Sequence, residues 1–190
     1  MWFTTLQHLF LYFYFFSVAG HFLELIWAPI KSAITKNPIF RPVILTVQPL
    51  SPPYGLGAVA VIVFILPLIQ QYNLPVWGTY WLTVFITGAV EYISATLIIA
   101  VFGHNPFWDY SQNFLNFQGK IQLVNCLLFG LVATAFIYLI YPICAHFLAE
   151  LTPATLLAIF LTLASLTIID TFYSVIRSWH TTKPNRSRPS

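Results

Sequence analysis

The stretch VWGTYWLTVFITGAVEYISATLIIAVF, residues 76–102, carries one charged side chain, Glu91, in a run that is otherwise almost wholly apolar or small. Its apolar residues are continuous rather than alternating with period two, so it suits a helix and not a strand of a membrane β-barrel. A helix needs roughly 20 mostly apolar residues to cross the hydrocarbon core, and this run is long enough. Four more runs of the same kind are read at about Leu6 to Ala28, Tyr54 to Ile69, Lys120 to Tyr141 and Pro153 to Arg177. The second is the shortest and contains Pro67, which a spanning helix tolerates where neighbouring groups satisfy the freed carbonyl.

Composition agrees with the runs. Hydrophobic residues make up 58% of the chain and charged residues 7%, with a mean hydropathy of +0.79, whereas roughly a quarter of the residues in a soluble domain are charged. The expected architecture is an all-α polytopic transmembrane bundle of about five spans. It forms one unit over residues 1–177, followed by a basic tail over 178–190, in a multi-pass protein of the cell membrane.

With five spans, all 8 lysines and arginines sort to one side: Lys31, Lys36 and Arg41 between the first two helices, Lys120 after the third, and Arg177, Lys183, Arg186 and Arg188 at the end. The positive-inside rule then places the N-terminus outside and the C-terminus in the cytoplasm. Ser17-Val18-Ala19 has the small-x-small look of a signal cleavage site, but no basic residue precedes the apolar run, and an uncleaved helix is expected. The tail TTKPNRSRPS reads as an anchor against anionic headgroups. The net charge of +3 follows from this topology, and nucleic acid is not an expected partner.

Cys126 and Cys144 are expected inside and just beyond the fourth helix, about 27 Å apart along a helical rise, too far for a disulfide. No Cys-His spacing of the zinc type occurs, so no metal and no cofactor is expected. The six tryptophans fall near helix ends, where indole rings sit at headgroup level.

Three acids lie within predicted spans: Glu24, Glu91 and Asp170. An acid near the bilayer centre costs a few kcal/mol, so each is expected to face the bundle interior or a wet cavity. Gly20, His21 and Glu24 share one helical face, and Thr87, Gly88, Glu91 and Ser94 share another. Such small faces predict that the first and third helices meet. Two readings stay open for Glu24 and Glu91. They are pins paired with cations such as Arg41 or Lys120, or they line a cytoplasmic cavity that takes a cation, a proton or a polar headgroup. His21 beside Glu24 is either part of a proton-coupled pair or a filler. Asp170, close to Arg177, reads as structural.

The most polar passage inside the chain is NPFWDYSQNFLNFQGK, residues 105–120. Asp109 and Asn116 suit turns and caps, Gly119 permits a tight entry, and the fourth helix is expected to begin at Lys120. Trp108 and Tyr110 can wedge against the floor of the bundle, with Tyr54-Gly55-Leu56-Gly57 as a small-residue seat. The loop is thus expected to fold back as a cytoplasmic lid under Glu24 and Glu91.

Trp108-Asp109-Tyr110-Ser111, followed by Asn116-Phe117-Gln118-Gly119-Lys120, resembles the signature of the CmpB-like family of small membrane proteins labelled as type IV ABC transporters, which has vertebrate transmembrane relatives. Gly20 with Glu24, Pro52-Pro53-Tyr54-Gly55-Leu56-Gly57 and Glu91-Tyr92 agree in order and spacing, so the resemblance covers about Phe15 to Tyr141. The chain departs from the pattern at His21, where the family commonly has Trp, at Lys120, where it has Arg, and at Gln48-Pro49, where it has Gly-Pro. Lysine loses the bidentate geometry of arginine, which weakens any carboxylate or phosphate clamp at position 120.

The resemblance implies transport by a permease-like subunit. The candidate cavity residues are His21, Glu24, Glu91, Asp109 and Lys120, and the loop signature is Trp108, Asp109, Tyr110, Asn116, Gln118 and Gly119. The chain has no G-x-x-x-x-G-K-[ST] element, so energy would come from a partner ATPase or an ion gradient. Besides the lipid bilayer, such an ATPase, another membrane subunit or a second copy of the chain is the expected partner. A non-catalytic scaffold is the alternative function. An enzyme acting on lipid headgroups ranks lower, because no metal set or nucleophile-base pair is present and no catalytic residue is assigned.

Overall fold

The computed structural model describes residues 2–35, 47–105 and 107–182. Lys36, Arg41, Lys183, Arg186 and Arg188 lie outside the described residues, as do the side chains of Trp2, Lys31 and Trp179. Among the described residues five helices form: α1 (Trp2–Thr35), α2 (Pro52–Tyr72), α3 (Val76–Phe102), α4 (Leu123–Ala149) and α5 (Pro153–Thr182). Each contains a segment long and apolar enough to span a bilayer. Large apolar side chains, among them Phe85, Leu97, Leu139 and Ile168, face outward. An apolar exterior suits a lipid solvent, and the protein is a multi-pass membrane protein.

Two helices continue past an internal proline by the same device, the second through Pro67 as expected and the fourth beyond its expected end at Tyr141. Proline has no N–H, and its ring crowds the carbonyl four residues before it. In α2 a π-helical turn at Val61–Ile65 stands just before Leu66-Pro67, and Leu66 N–H donates to the Val61 carbonyl, five residues back. α4 repeats the device, with a π turn at Phe136–Ile140 before Tyr141-Pro142 and Tyr141 N–H donating to Phe136. The wide turns let both helices continue past proline. Cys144 therefore lies within α4, not beyond its end. The start of α4 also differs from expectation: it begins at Leu123 because Lys120 belongs to a β-hairpin.

Both π turns contribute to the core, where Ala58, Val61, Ile65 and Leu66 of α2 meet Ala133, Phe136 and Ile137 of α4. Phe16 of α1 and Leu82 and Ile86 of α3 close over this cluster. The small faces do not bring α1 and α3 together as expected. α1 packs chiefly on α2 and α5, and α3 on α4 and α2. Gly20 is filled by the Tyr54 ring of α2, and Gly88 faces the Cys126 thiol of α4. The hydroxyls of Thr83 of α3 and Thr134 of α4 lie 2.9 Å apart, each within reach of the Gly130 carbonyl at 3.0 and 2.8 Å, so that one can donate to the other while the second donates to the carbonyl. Polar bridges of this kind hold helices together where lipid removes the hydrophobic drive.

Asp170 ties α5 to the segment before α2. It is buried, and its two carboxylate oxygens accept the backbone N–H groups of Val47 and Gln48, each at 3.0 Å. The Gln48 side chain continues the tie by donating to the Leu166 carbonyl at 2.9 Å. Asp170→Ala leaves two donors without their charged acceptor and is expected to cost about 3 kcal/mol, with Asp170→Asn losing about half as much. Thermal unfolding of the detergent-solubilised protein checks the order wild type, Asn, Ala.

Candidate functional site

The loop between α3 and α4 is a compact hairpin. Asn116–Phe117 (β1) pairs antiparallel with Ile121–Gln122 (β2), and Lys120 N–H closes the turn on the Phe117 carbonyl at 3.1 Å. The two central residues, Gln118 and Gly119, have φ of 54° and 66°. This left-handed pair is the geometry of a tight hairpin turn, and glycine at its second position avoids a steric penalty.

The preceding Trp108–Ser111 segment is held against this turn by side chains of the same loop. Asp109 accepts the backbone N–H and the hydroxyl of Ser111 at 2.8 and 3.1 Å. Asn116 donates to the Asn113 carbonyl at 2.7 Å and accepts Gly119 N–H at 3.0 Å. Tyr110 N–H donates to the Gly119 carbonyl at 2.9 Å, and the Trp108 indole N–H donates to the Lys120 carbonyl at 3.1 Å. Two further contacts fix the hairpin to α3. Tyr92 donates its hydroxyl to Gln118 at 2.9 Å, and the Lys120 ammonium lies 4.6 Å from the centre of the Tyr92 ring, within reach of a cation–π interaction.

So stapled, the loop directs Tyr110 inward, where its hydroxyl donates to Glu91 Oε1 at 2.9 Å. Glu91 is buried on α3. A second pair has the same chemistry: Tyr54, in the first turn of α2, donates to Glu24 Oε1 of α1 at 2.6 Å. The pairs are neighbours, since Glu24, Tyr54, Glu91 and Tyr110 all line one cavity. Burial, reinforced by Glu91, raises the Tyr110 pKa well above the ordinary phenol value. Tyr110 therefore remains a neutral hydrogen-bond donor across the physiological pH range.

Both pairs border a cavity of about 290 Å³ between α1, α2, α3 and α4, with Trp108 and Tyr110 of the loop among its lining residues. Its walls are otherwise mostly apolar, with Phe16, Leu23, Phe129, Val132, Phe136 and Ile140 prominent. Of the five residues singled out for the cavity, Glu24 and Glu91 line it. Asp109 is exposed and engaged in the turn at Ser111, and Lys120 lies on Tyr92. His21 is buried outside the lining, and its Nδ1 has no hydrogen-bond partner among the described residues. Within the loop signature, Trp108 and Tyr110 reach the cavity, while Asp109, Asn116, Gln118 and Gly119 maintain the loop's shape. Tyr54, as the partner of Glu24, is the site residue that sequence reasoning placed only in a seat for the loop. Its signal was the Tyr-Gly step opening α2, with Gly20 on the facing helix leaving room for the ring.

No curated protein and no solved structure matches the chain. A family described as "Putative ABC-transporter type IV" matches residues 11–175. The match continues into α5, beyond the Phe15 to Tyr141 range that the motifs alone cover, and does not bear on vertebrate relatives. The segments that supply both tyrosine–glutamate pairs, the hairpin, the three middle spans and most of the first and last all fall within it, and the chain belongs to this CmpB-type ABC-transporter family.

Proposed function

We propose that the protein is the membrane-spanning, permease-like subunit of a transport system. Its N-terminus is outside and its C-terminus cytoplasmic, and the 103–122 hairpin is a cytoplasmic lid over a cavity that handles a cation or a polar solute. The observation that carries this reading is the bond from Tyr110 of the loop to Glu91 of a spanning helix. One contact links the position of the loop to the exposure of an acid inside the membrane, as a gated site requires. Acids within a membrane mark ion and substrate paths because their desolvation cost is otherwise unrewarded. An ATPase subunit or an ion gradient supplies the energy, since this sequence has no phosphate-binding loop of the P-loop type.

Native mass spectrometry of the protein, extracted gently from its own membrane, tests the reading. Co-isolation of an ATPase or retention of a polar ligand is expected. A bare chain carrying only bulk lipid contradicts it. That result favours the second reading, a non-catalytic scaffold, which has its own support in the tyrosine bonds that already engage both carboxylates.

A further inference from the structure

We infer, resting on the permease reading, that the cavity takes a single-chain amphiphile with a protonated primary amine as its headgroup. The cavity has a polar end and an apolar shaft. Glu24 and Glu91 mark the polar end, together with Tyr54, Tyr110 and Trp108. Along α4 the wall runs from Phe129 to Ile140, a rise of about 16 Å at 1.5 Å per residue.

Dividing the volume of about 290 Å³ by that rise leaves roughly 18 Å² of cross-section. A passage this long and narrow suits one extended chain and not two side by side. The volume would hold about ten waters at roughly 30 Å³ each, far more room than a bare metal ion needs. The apolar shaft offers an ion nothing to coordinate, but it matches an alkyl chain.

The charge of the lining selects the headgroup. Among the described residues no lysine, arginine or histidine lines the cavity, so a phosphate or carboxylate would meet two acids and no counter-charge from those residues. An ammonium has three donors, and an ionised carboxylate has about four acceptor sites on its two oxygens, so two glutamates with their tyrosines form an acceptor-rich end. The faces of Tyr54, Tyr110 and Trp108 add sites for a cation. A diacyl aminophospholipid presents the same amine, but it brings a phosphate and a second chain that this lining does not accommodate.

The test uses the full chain in phosphatidylcholine nanodiscs, with dodecylamine as the probe and dodecanol as its neutral counterpart. Bound probe is counted by native mass spectrometry. One dodecylamine per chain is expected, bound at least about tenfold more tightly than dodecanol, the scale of a single charge-assisted hydrogen bond. A Cβ at Gly57 would meet nothing within 4 Å, and Gly57 lines the cavity, so Gly57→Phe places a ring in the open space. Gly57→Phe and, from a different helix, Val132→Trp are each expected to abolish binding while circular dichroism remains that of the folded bundle.

Equal binding of dodecanol overturns the inference, as does binding that survives both folded variants. Adding phosphatidylethanolamine to the discs is expected to leave dodecylamine binding unchanged; displacement by it assigns the site to the lipid and also overturns the inference. The underlying permease reading fails separately. Glu91-dependent accumulation of ethylammonium by proteoliposomes that bind no dodecylamine removes the amphiphile and keeps the permease. Dodecylamine that binds but is never moved across the membrane, with an ion gradient imposed and any co-isolated ATPase present, supports the site and removes the permease.

Discussion

Gly55→Ala is expected to destabilise the bundle by about 3 kcal/mol or more, whereas Gly57→Ala, two residues further along α2, is expected to change stability by less than about 0.5 kcal/mol. A methyl group on Gly55 would overlap both the Ser17 hydroxyl and the Phe13 backbone carbonyl of α1. The carbonyl cannot rotate away, so the helices must separate. Separation would pull Tyr54 off Gly20 and strain its bond to Glu24. At Gly57 the same methyl enters the cavity and meets nothing. Thermal unfolding in detergent measures both variants, and similar losses at the two positions would refute the packing of α1 on α2 described above.

Tyr110→Phe carries the second large effect. It keeps the ring but removes the hydroxyl that donates to Glu91, leaving a buried carboxylate short of a donor. The loss is about 2 kcal/mol, equivalent to about a thirtyfold shift toward an open loop at 1.36 kcal/mol per decade. Labelling of a cysteine at Thr87, on the cavity wall, reads this shift in a background with Cys126 and Cys144 replaced. Glu91→Gln separates gating from charge. Its amide oxygen still accepts from Tyr110, so labelling at position 87 is expected to stay near the wild-type rate, while solute accumulation is abolished. A Tyr110→Phe labelling rate equal to that of wild type would mean that this bond does not hold the loop closed.

The five spans were legible because lipid imposes a simple rule: a helix-length apolar run either crosses the bilayer or has no stable place. The positions of Glu24 and Glu91 were legible for the same reason, since buried acids in such runs must face inward. Their partners were not. Tyr54 and Glu24 lie 30 residues apart and Tyr110 and Glu91 19 apart, and these pairings depend on which helices pack together. The small faces suggested α1 against α3, but a glycine face records only that something approaches closely, and here the neighbours were a tyrosine ring and a cysteine.

The hairpin was hidden because its strands are two residues each and its turn is Gln-Gly rather than the usual Asn-Gly. Lys120 was consequently assigned to a helix and to the cavity. Asp109 was misplaced by its charge. Its neighbour Ser111 claims both carboxylate oxygens, and the loop signature preserves a shape that presents Tyr110. The length of α4 was missed at Pro142, because a π turn that rescues a proline leaves no mark in hydropathy.

The central claim is that the hairpin is a cytoplasmic lid over the two acids, and the most direct measurement is thiol labelling of Ser111→Cys, with Cys126 and Cys144 replaced, by a membrane-impermeant maleimide. Ser111 is exposed at the outer surface of the hairpin, so its reactivity reports the side of the membrane on which the hairpin lies. Labelling only after the cells are permeabilised is the predicted result. Ready labelling in intact cells would place the hairpin, the tyrosine–glutamate pairs and the polar end of the cavity toward the outside, and would contradict the account.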